Sequence, residues 1–250
     1  MKNKFILGLN IYHGDSSACL MKNGEIIFAI EEERINRVKH WAGFPVKSIQ
    51  ACLDFSKISL GDINYIALNS NPFSNLLDKI KFGLTNINSY KLILNKLVLK
   101  KKKISISKIL KKNFRTKRVP KIKYYDHHLC HIASAHYPSK FKNPLLISAD
   151  GFGDFASTVA AIDANNKIFV QNKILFPNSL GIFYQSFTQL LGFKNYGDEY
   201  KMMGLSAYGK NRFSEKLDKV ISYREGEFKL NLNFFQHHSK EINMKWNDES

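Results

Sequence analysis

The sequence is poor in cysteine and lacks the paired cysteines of common metal-binding motifs. Its three cysteines, Cys19, Cys52 and Cys130, are far apart and odd in number. Neither a disulfide framework nor a CxxC zinc site is therefore expected, and Cys19 and Cys52 lie in apolar patterns typical of small buried residues. Long apolar runs are also missing. None reaches the roughly 18–20 residues that a membrane-spanning helix needs, and no signal-peptide core follows the first lysines. These absences predict a cytoplasmic protein without a membrane span.

Acidic residues are missing from one long segment. Residues 79–123 contain 16 Lys and Arg and no Asp or Glu, in a chain of 250 residues with a formal net charge of +17. The remainder of the chain is close to neutral, so any argument from charge concerns this segment alone. A solvated surface is the favoured explanation, and binding of nucleic acid or another phosphate-bearing partner is the alternative. The segment has few aromatic residues, which argues against stacking of single-stranded bases.

Hydrophobic periodicity predicts two successive cycles of strands and helices. The predicted strands cover residues 5–12, 18–24, 25–30, 63–70 and 121–125, and then 144–149, 156–162 and 167–176. The first three form a hairpin meander, followed by a helix at 45–55 that begins with proline. The three strands from residue 144 onward repeat this strand–turn–strand pattern. The repeat predicts an α/β protein with the duplicated ribonuclease-H-like fold of the actin-like ATPases (sugar kinase type), which is a fold analogy.

The two cycles divide the chain into two predicted half-domains. The first covers residues 1–143 and carries an inserted basic helical pair at about 73–118. The second covers residues 144–250 and is incomplete at the C-terminus, since a helix at 180–192 is followed by no further predicted strand.

The densest group of chemistry-bearing residues lies where the two cycles meet. Residues 126–131 read Asp-His-His-Leu-Cys-His, and His127 and His131 share one face of a helix because they are four positions apart. A predicted strand then runs into a glycine turn that begins at Asp150. Two imidazoles and a carboxylate suit a first-row transition metal. The alternative is a purely structural histidine pair.

Two neighbours of this pair point elsewhere on the same predicted helix. Cys130 is a weaker candidate ligand, because it lies about 100° round the helix from its neighbours. His128 lies at a similar angle from His127, and is expected to support a ligand or to lie at the surface.

Several ordered motifs together identify a family. They are Gly8-Leu9-Asn10 with His13 and Ser16-Ser17, residues 31–34, residues 37–40, residues 126–131, residues 150–153, and residues 201–205 with Tyr208-Gly209. The chain resembles the N-terminal domain of the nodulation-type O-carbamoyltransferases, a domain similar to the threonylcarbamoyl-transferring subunit of tRNA modification. The resemblance implies the actin-like ATPase fold stated above.

The resemblance also implies a set of site residues. A divalent metal, iron as Fe²⁺, would be held by His127, His131 and Asp150. His13 would be the catalytic residue, orienting the carbamoyl carbonyl or accepting the hydroxyl proton, and Arg34 and Lys39 would line the site. ATP, in the form of carbamoyl-adenylate, would be bound by a further set of residues, namely Gly151, Phe152, Gly153, Lys201 and Gly204.

The reaction that the resemblance implies needs more than this chain. In the family a separate C-terminal domain makes carbamoyl-adenylate from carbamoyl phosphate and ATP, and the N-terminal domain passes the carbamoyl group to a small-molecule hydroxyl acceptor. This chain is about half the usual family length, so a truncated form or a companion chain is expected. Two alternatives stay open: an RNA-associated relative of the tRNA-modifying subunit, and an inactive truncated remnant.

Overall fold

The computed structural model of the chain describes residues 3–85, 106–116, 118–165 and 167–239. The strands in these residues are β1 Phe5–Asn10, β2 Ser17–Lys22, β3 Glu25–Glu31, β4 Tyr65–Leu68, β5 Lys121–Tyr124, β6 Leu145–Gly153, β7 Ala156–Ala164, β8 Lys167–Leu175, β9 Ile221–Arg224 and β10 Glu227–Leu230. The α-helices are α1 Glu32–Asn36, α2 Val46–Phe55, α3 Leu76–Thr85, α4 Ile106–Phe114, α5 His127–His136, α6 Leu180–Leu190, α7 Glu199–Ser206 and α8 Ser214–Leu217.

The residues group into two compact units. The first contains the described residues of 1–74 and 94–130, and the second those of 75–93 and 131–250. The dividing point at residue 130 falls inside α5, so this one helix belongs to both units. The half-domain boundary predicted after residue 143 stays a prediction.

The first unit contains a five-stranded mixed sheet in the order β3-β2-β1-β4-β5. Strands β1, β2 and β3 pair antiparallel, while β4 pairs parallel with both β1 and β5. This order and these directions are those of the ribonuclease-H-like fold, and the predicted meander and the predicted fold class are confirmed. In the register of the sheet, Leu9 lies opposite Leu68, which places the residues that follow β1 and β4 side by side.

The core of the first unit follows from the alternation of apolar residues along its strands. Buried side chains of β1, β2 and β4 pack with those of α2 and α4, and the set includes Leu7, Leu9, Ala18, Leu20, Ile49, Cys52, Ile66, Leu68, Ile106 and Leu110. Burial raises the pKa of the Cys52 thiol to about 12, with a smaller contribution from Cys19. Cys52 is thus the buried residue that its apolar pattern predicts.

The second unit contains an antiparallel sheet in the order β6-β7-β8. It repeats the meander of the first sheet, and within the described residues no strand pairs with the outer edge of β6. The repeated meander agrees with the duplicated α/β fold expected from the sequence.

Two details of the second unit differ from the sequence prediction. The glycine turn expected at 150–154 is mostly strand, because β6 continues to Gly153 through an irregular pairing after Ala149. The chain reverses instead at Asp154 and Phe155, which both have a positive φ. The hairpin β9–β10 was not predicted; its turn contains Gly226, also at positive φ.

The predicted basic insertion at about 73–118 is helical at both ends, in α3 and α4. Its middle part, residues 86–105, lies outside the described residues. Across the residues that are described, no helix is both long and apolar enough to cross a membrane.

Candidate active site

Helix α5 starts at a fixed position because Asp126 caps it. The Oδ1 atom of Asp126 accepts hydrogen bonds from the backbone N–H groups of His128 and Leu129, at 3.1 and 3.3 Å. Its Oδ2 atom accepts one from the Ser74 hydroxyl at 3.2 Å. A short carboxylate at this position satisfies helix N–H groups that have no partner within the helix. The cap therefore fixes the position of His127, the first residue of α5.

His127 is that first residue, and its ring orientation is set by a backbone carbonyl. The ring is buried, and its Nδ1 atom lies 3.2 Å from the carbonyl oxygen of Asn69. Because a carbonyl oxygen only accepts, Nδ1 carries the proton in this arrangement and the lone pair of the neutral ring is on Nε2. This is the tautomer that metal-binding histidines adopt when their other nitrogen donates to a carbonyl.

His131 lies one turn further along α5 and faces a carboxylate. Its Nε2 atom is 3.6 Å from the Oδ2 atom of Asp150, and both side chains are about half exposed. One ligand atom from each of His127, His131 and Asp150 lies within 4.8 Å of the others. Two imidazole nitrogens and one carboxylate oxygen are a donor set for a divalent first-row metal. The residues that the sequence singled out as ligands thus lie together, at a spacing that fits the group.

The carboxylate of Asp150 is held by the backbone around it. Its Oδ1 atom accepts a hydrogen bond from the Gly151 N–H at 2.6 Å, and the Ser179 hydroxyl bonds to the carbonyl oxygens of both residues, at 3.0 and 2.8 Å. Ser179 also caps α6 by accepting from the Ile182 N–H. The hydrogen bonds of Ser179 therefore connect β6, at Asp150 and Gly151, to the start of α6.

His13 lies against the first of the histidines. The rings of His13 and His127 stack, with centroids 5.3 Å apart and planes 28° apart. The turn that carries His13 is held by Ser16, whose hydroxyl bonds to the carbonyl oxygens of His13 and Gly43. The structure thus places the predicted catalytic histidine beside a predicted metal ligand.

The comparison with known families classifies the chain as a whole. The sequence matches the family described as Carbamoyltransferase N-terminus over residues 5–248. The chain belongs to this family. The family assignment suggested by the motifs is therefore confirmed.

Two curated relatives are each identical to this chain at about one aligned residue in three. The chain is 34% identical to the uncharacterized protein sll1178 of Synechocystis sp., covering 93% of this chain and 39% of that protein. It is also 34% identical to the nodulation protein NolNO of Sinorhizobium fredii, covering 80% of this chain and 28% of that protein. The chain thus spans well under half the length of these relatives. Among solved structures it is similar to YeaZ from Pseudomonas aeruginosa, with 10% identity, a TM-score of 0.33, and coverage of 70% of this chain and 68% of that one.

The predicted site residues Arg34 and Lys39 lie outside the histidine group. The Arg34 guanidinium is exposed and pairs with Glu31 at 3.2 Å and Glu33 at 3.5 Å. Lys39 is exposed and makes no hydrogen bond or ion pair within the described residues. Their predicted roles in the site remain predictions of the family resemblance.

The predicted nucleotide-binding residues of β6 have differing surroundings. The Phe152 ring packs against Phe176, with centroids 4.9 Å apart, and stacks on His237 at 5.8 Å, so its side chain is part of the core. Gly151 approaches α6 closely. A Cβ atom added to Gly181 would lie 2.6 Å from the Gly151 nitrogen, and Gly181 is a structurally important residue that sequence reasoning missed.

Helix α7 carries the other two predicted nucleotide-binding residues. The Lys201 ammonium lies 2.7 Å from the Oδ1 atom of Asp198. This hydrogen-bonded pair raises the pKa of Lys201 and lowers the pKa of Asp198. A Cβ atom added to Gly204 would meet nothing within 4 Å, so no close approach within the structure explains this glycine.

His128 fits the first of its two expected roles, support of a ligand, and not the second, a surface position. It is fully buried and its ring lies edge-on to that of His127, with centroids 5.6 Å apart.

The charged stretch after β3 contains contacts that sequence reasoning also missed. Glu32 is buried and accepts hydrogen bonds from the N–H groups of Lys47 and Ser48, at 3.1 and 2.7 Å, and from the Ser48 hydroxyl. No local motif signals this long-range cap of α2.

The same stretch forms a second group of possible ligands. The His40 Nδ1 atom lies 2.9 Å from Asp15 Oδ1, and Glu33 accepts a hydrogen bond from the His40 N–H at 2.8 Å. Ligand atoms of these three residues lie within 4.8 Å of one another. The hydrogen bonds fasten the loop after α1 to the turn that follows His13.

Proposed function

We propose that this chain is the part of an O-carbamoyltransferase that passes a carbamoyl group from carbamoyl-adenylate to a hydroxyl group of a sugar or another small metabolite. The main support is the stacking of His13 on His127, the first residue of the His127, His131 and Asp150 group. Family membership supplies the reaction class. On this proposal His13 is the proton acceptor, and the neighbouring group would bind a cation.

His127, His131 and Asp150 would hold a divalent metal, for which we propose Fe²⁺. The donor set fits, because the carbonyl of Asn69 leaves Nε2 of His127 as a ligand atom and Asp150 adds a negative charge. A bound divalent cation supplies positive charge to a carbonyl or phosphate oxygen.

In the proposed step, His13 accepts the proton of the acceptor hydroxyl. The hydroxyl oxygen attacks the carbamoyl carbon, the bond from that carbon to the adenylate phosphate oxygen breaks, and AMP leaves with the electron pair. A histidine suits proton transfer near neutral pH. The hydrogen bonds of Ser16 hold the turn, so His13 keeps its place during the step.

The nucleotide would lie along the glycines that follow Asp150. Gly151 is partly exposed there and Gly153 is buried, and the start of α6 adds N–H groups that favour anions. Lys201 and Gly204 of α7 complete the proposed nucleotide-binding set. Arg34 and Lys39 are proposed separately, as residues that line the catalytic site around His13. Phe152 would act through the packing of its ring.

The donor would come from elsewhere. Carbamoyl phosphate and ATP would be converted to carbamoyl-adenylate by a further part of a longer polypeptide or by a companion chain. This fits the small share of its relatives that the chain covers. The cytoplasm, which contains ATP, is the proposed location.

The test is direct transfer. The purified chain, loaded with Fe²⁺ without oxygen, is mixed with carbamoyl-adenylate and a panel of sugar acceptors, and acceptor-dependent release of AMP is measured. We expect release that falls at least about 100-fold in His13→Asn, the low end for loss of a general base. Release that is equal in both proteins would contradict the role of His13. No release from folded, metal-loaded protein would instead favour an inactive remnant.

A second candidate function is binding of RNA. It is favoured by the exposed basic residues of α4, β5 and the loop between them, which lie in the first unit and in the segment 79–123 that has no Asp or Glu. They are Lys108, Lys111, Lys112, Arg115, Arg118, Lys121 and Lys123. Buried Ile106 and Leu110 fix the inner face of α4 and leave its lysines in solvent.

A further inference from the structure

Asn10, the last residue of β1, holds the turn that carries His13. Its Nδ2 atom lies 3.2 Å from the carbonyl oxygen of Gly14 and 3.1 Å from that of Asp15. Both carbonyls can only accept, so the amide nitrogen of Asn10 must face the turn. Its amide oxygen must then face the other way.

That oxygen meets a second asparagine. Asn10 Oδ1 accepts a hydrogen bond from Nδ2 of Asn69 at 3.1 Å. The two residues are neighbours because β1 and β4 pair parallel, with Leu9 opposite Leu68. The orientation of Asn69 follows from that of Asn10, since only its nitrogen can donate to Asn10.

This orientation leaves a polar atom without a partner. The Oδ1 atom of Asn69 is buried and has no hydrogen-bond partner in the described part of the chain. An unsatisfied buried acceptor costs stability.

The second asparagine reaches the metal-ligand candidate. The backbone carbonyl of Asn69 accepts from Nδ1 of His127 at 3.2 Å. Hydrogen bonds thus run from the turn after His13 through Asn10 and Asn69 to His127. The rings of the two histidines at the ends of this path stack on each other.

We propose that Asn10 is a positioning residue that holds His13 in register with His127. It does not touch the proposed reacting atoms; it fixes the distance between the proton acceptor and a ligand of the proposed cation. A catalytic role for this positioning rests on the proposed function. The positioning of His13 relative to His127 by Asn10 does not depend on that function.

The test measures the distance between the two rings. In the 250-residue chain with ¹³C- and ¹⁵N-labelled histidine, we expect a nuclear Overhauser effect between ring protons of His13 and His127. In Asn10→Ala this signal should fall at least about threefold, because the turn loses two of its hydrogen bonds. Wild-type intensity in a folded Asn10→Ala protein would overturn the proposal.

A matched control separates positioning from general stability. Asn64 accepts a hydrogen bond from the Phe5 N–H at 2.7 Å, near the opposite ends of β1 and β4. Asn64→Ala should lower thermal stability and leave the ring signal unchanged; a signal equally weakened in it would also overturn the proposal.

If Asn10→Ala does not fold, Asn69→Ala removes the next hydrogen bond of the path. We expect a weaker ring signal there as well, and an unchanged one counts against the proposal. A ring signal that depends on Asn10 in a chain that transfers no carbamoyl group would support the positioning role and contradict the proposed function.

Discussion

Gly181 lies against Gly151 so closely that no side chain fits between them. A Cβ atom on Gly181 would be 2.6 Å from the Gly151 nitrogen and 2.7 Å from the Asp150 carbonyl carbon. Helix α6 can therefore pack directly on the backbone that carries Asp150. The position of Asp150, a proposed metal ligand, therefore depends on Gly181, which is not itself a ligand.

Replacement of Gly181 by alanine should destabilise the protein, although alanine is the better helix former. The added methyl group must push α6 away from β6, and strain of this kind costs about 1–3 kcal/mol. Chemical denaturation followed by circular dichroism measures the change.

The matched control is Gly204→Ala. Gly204 is also inside a helix, but its Cβ would meet nothing within 4 Å, so this change should stabilise the protein by about 0.5–1 kcal/mol. Equal effects of the two substitutions would show that the close approach at Gly181 is unimportant. Gly204→Ala also tests nucleotide binding, since weaker binding of AMP in a more stable protein would support a role for Gly204.

The metal proposal predicts a loss of bound metal in two variants. His127→Ala and His131→Ala should each lower the Fe²⁺ or Co²⁺ retained after gel filtration, because each removes one of three ligands. Plasma mass spectrometry gives the metal content per chain.

His136→Gln is the control for these variants. His136 is the last residue of the same helix and pairs with Asp163 at 3.3 Å, outside the proposed ligand group. Its metal content should equal that of the wild type. Unchanged content in the other two variants would refute the ligand assignment.

The buried carboxylate of Glu32 predicts a stability effect far from the histidines. Glu32→Ala removes three hydrogen bonds at the start of α2 and leaves the N–H groups of Lys47 and Ser48 unpaired. We expect a loss of about 2–4 kcal/mol, since hydrogen bonds to charged groups contribute about 1.5–3 kcal/mol each and the losses are not additive. Urea denaturation measures it, with the exposed Glu25→Ala as control. A loss below that of the control would contradict this role.

The ion pair of Asp198 and Lys201 predicts a pH dependence. The lowered pKa of Asp198 means that its contribution to stability is present above the ordinary carboxyl pKa of about 4 and is lost as the pH falls further. The raised pKa of Lys201 means that its contribution is lost only as the pH rises through that raised value. The melting temperature of Asp198→Asn should therefore lie below that of the wild type at pH 7. The difference between the two melting temperatures should become smaller at pH 3. A difference that does not change with pH would contradict the pairing of Asp198 with Lys201.

The RNA hypothesis predicts a salt-dependent interaction. Replacing Lys108, Lys111 and Lys112 by glutamine should weaken binding of tRNA in a gel shift at low ionic strength, because each lysine that neutralises a phosphate releases a counterion. The control replaces Lys210, Lys216 and Lys219, which are exposed in the second unit. Equal losses in both triple variants would mean non-specific attraction, and no binding by the wild type would exclude this function.

The sequence predicted the elements that depend on local pattern. The meander β1–β3 follows from hydrophobic periodicity and an Asn-Gly turn, and a helix carrying His127 and His131 was also predicted. The grouping of His127 and His131 needs only helical spacing. The approach of Asp150 was expected from the family resemblance.

Other parts depend on contacts between distant residues. The burial of Glu32 depends on its hydrogen bonds to Lys47 and Ser48 at the start of α2, and His128 is buried next to His127. Neither has a signal in its own neighbourhood. The path from Asn10 to Asn69 depends on the register of β1 and β4, which periodicity does not specify.

Strand β5 has a consequence for how the protein behaves in concentrated solution. It forms one end of the first sheet in the described residues, and it exposes Lys121 and Lys123 at alternate positions. Lys123 also lies over the Tyr65 ring, 4.3 Å from its centroid. Two ammonium groups along an open edge repel a second copy of the same strand. Acetylation of these lysines would remove that repulsion and turn the edge into a place where chains add to one another.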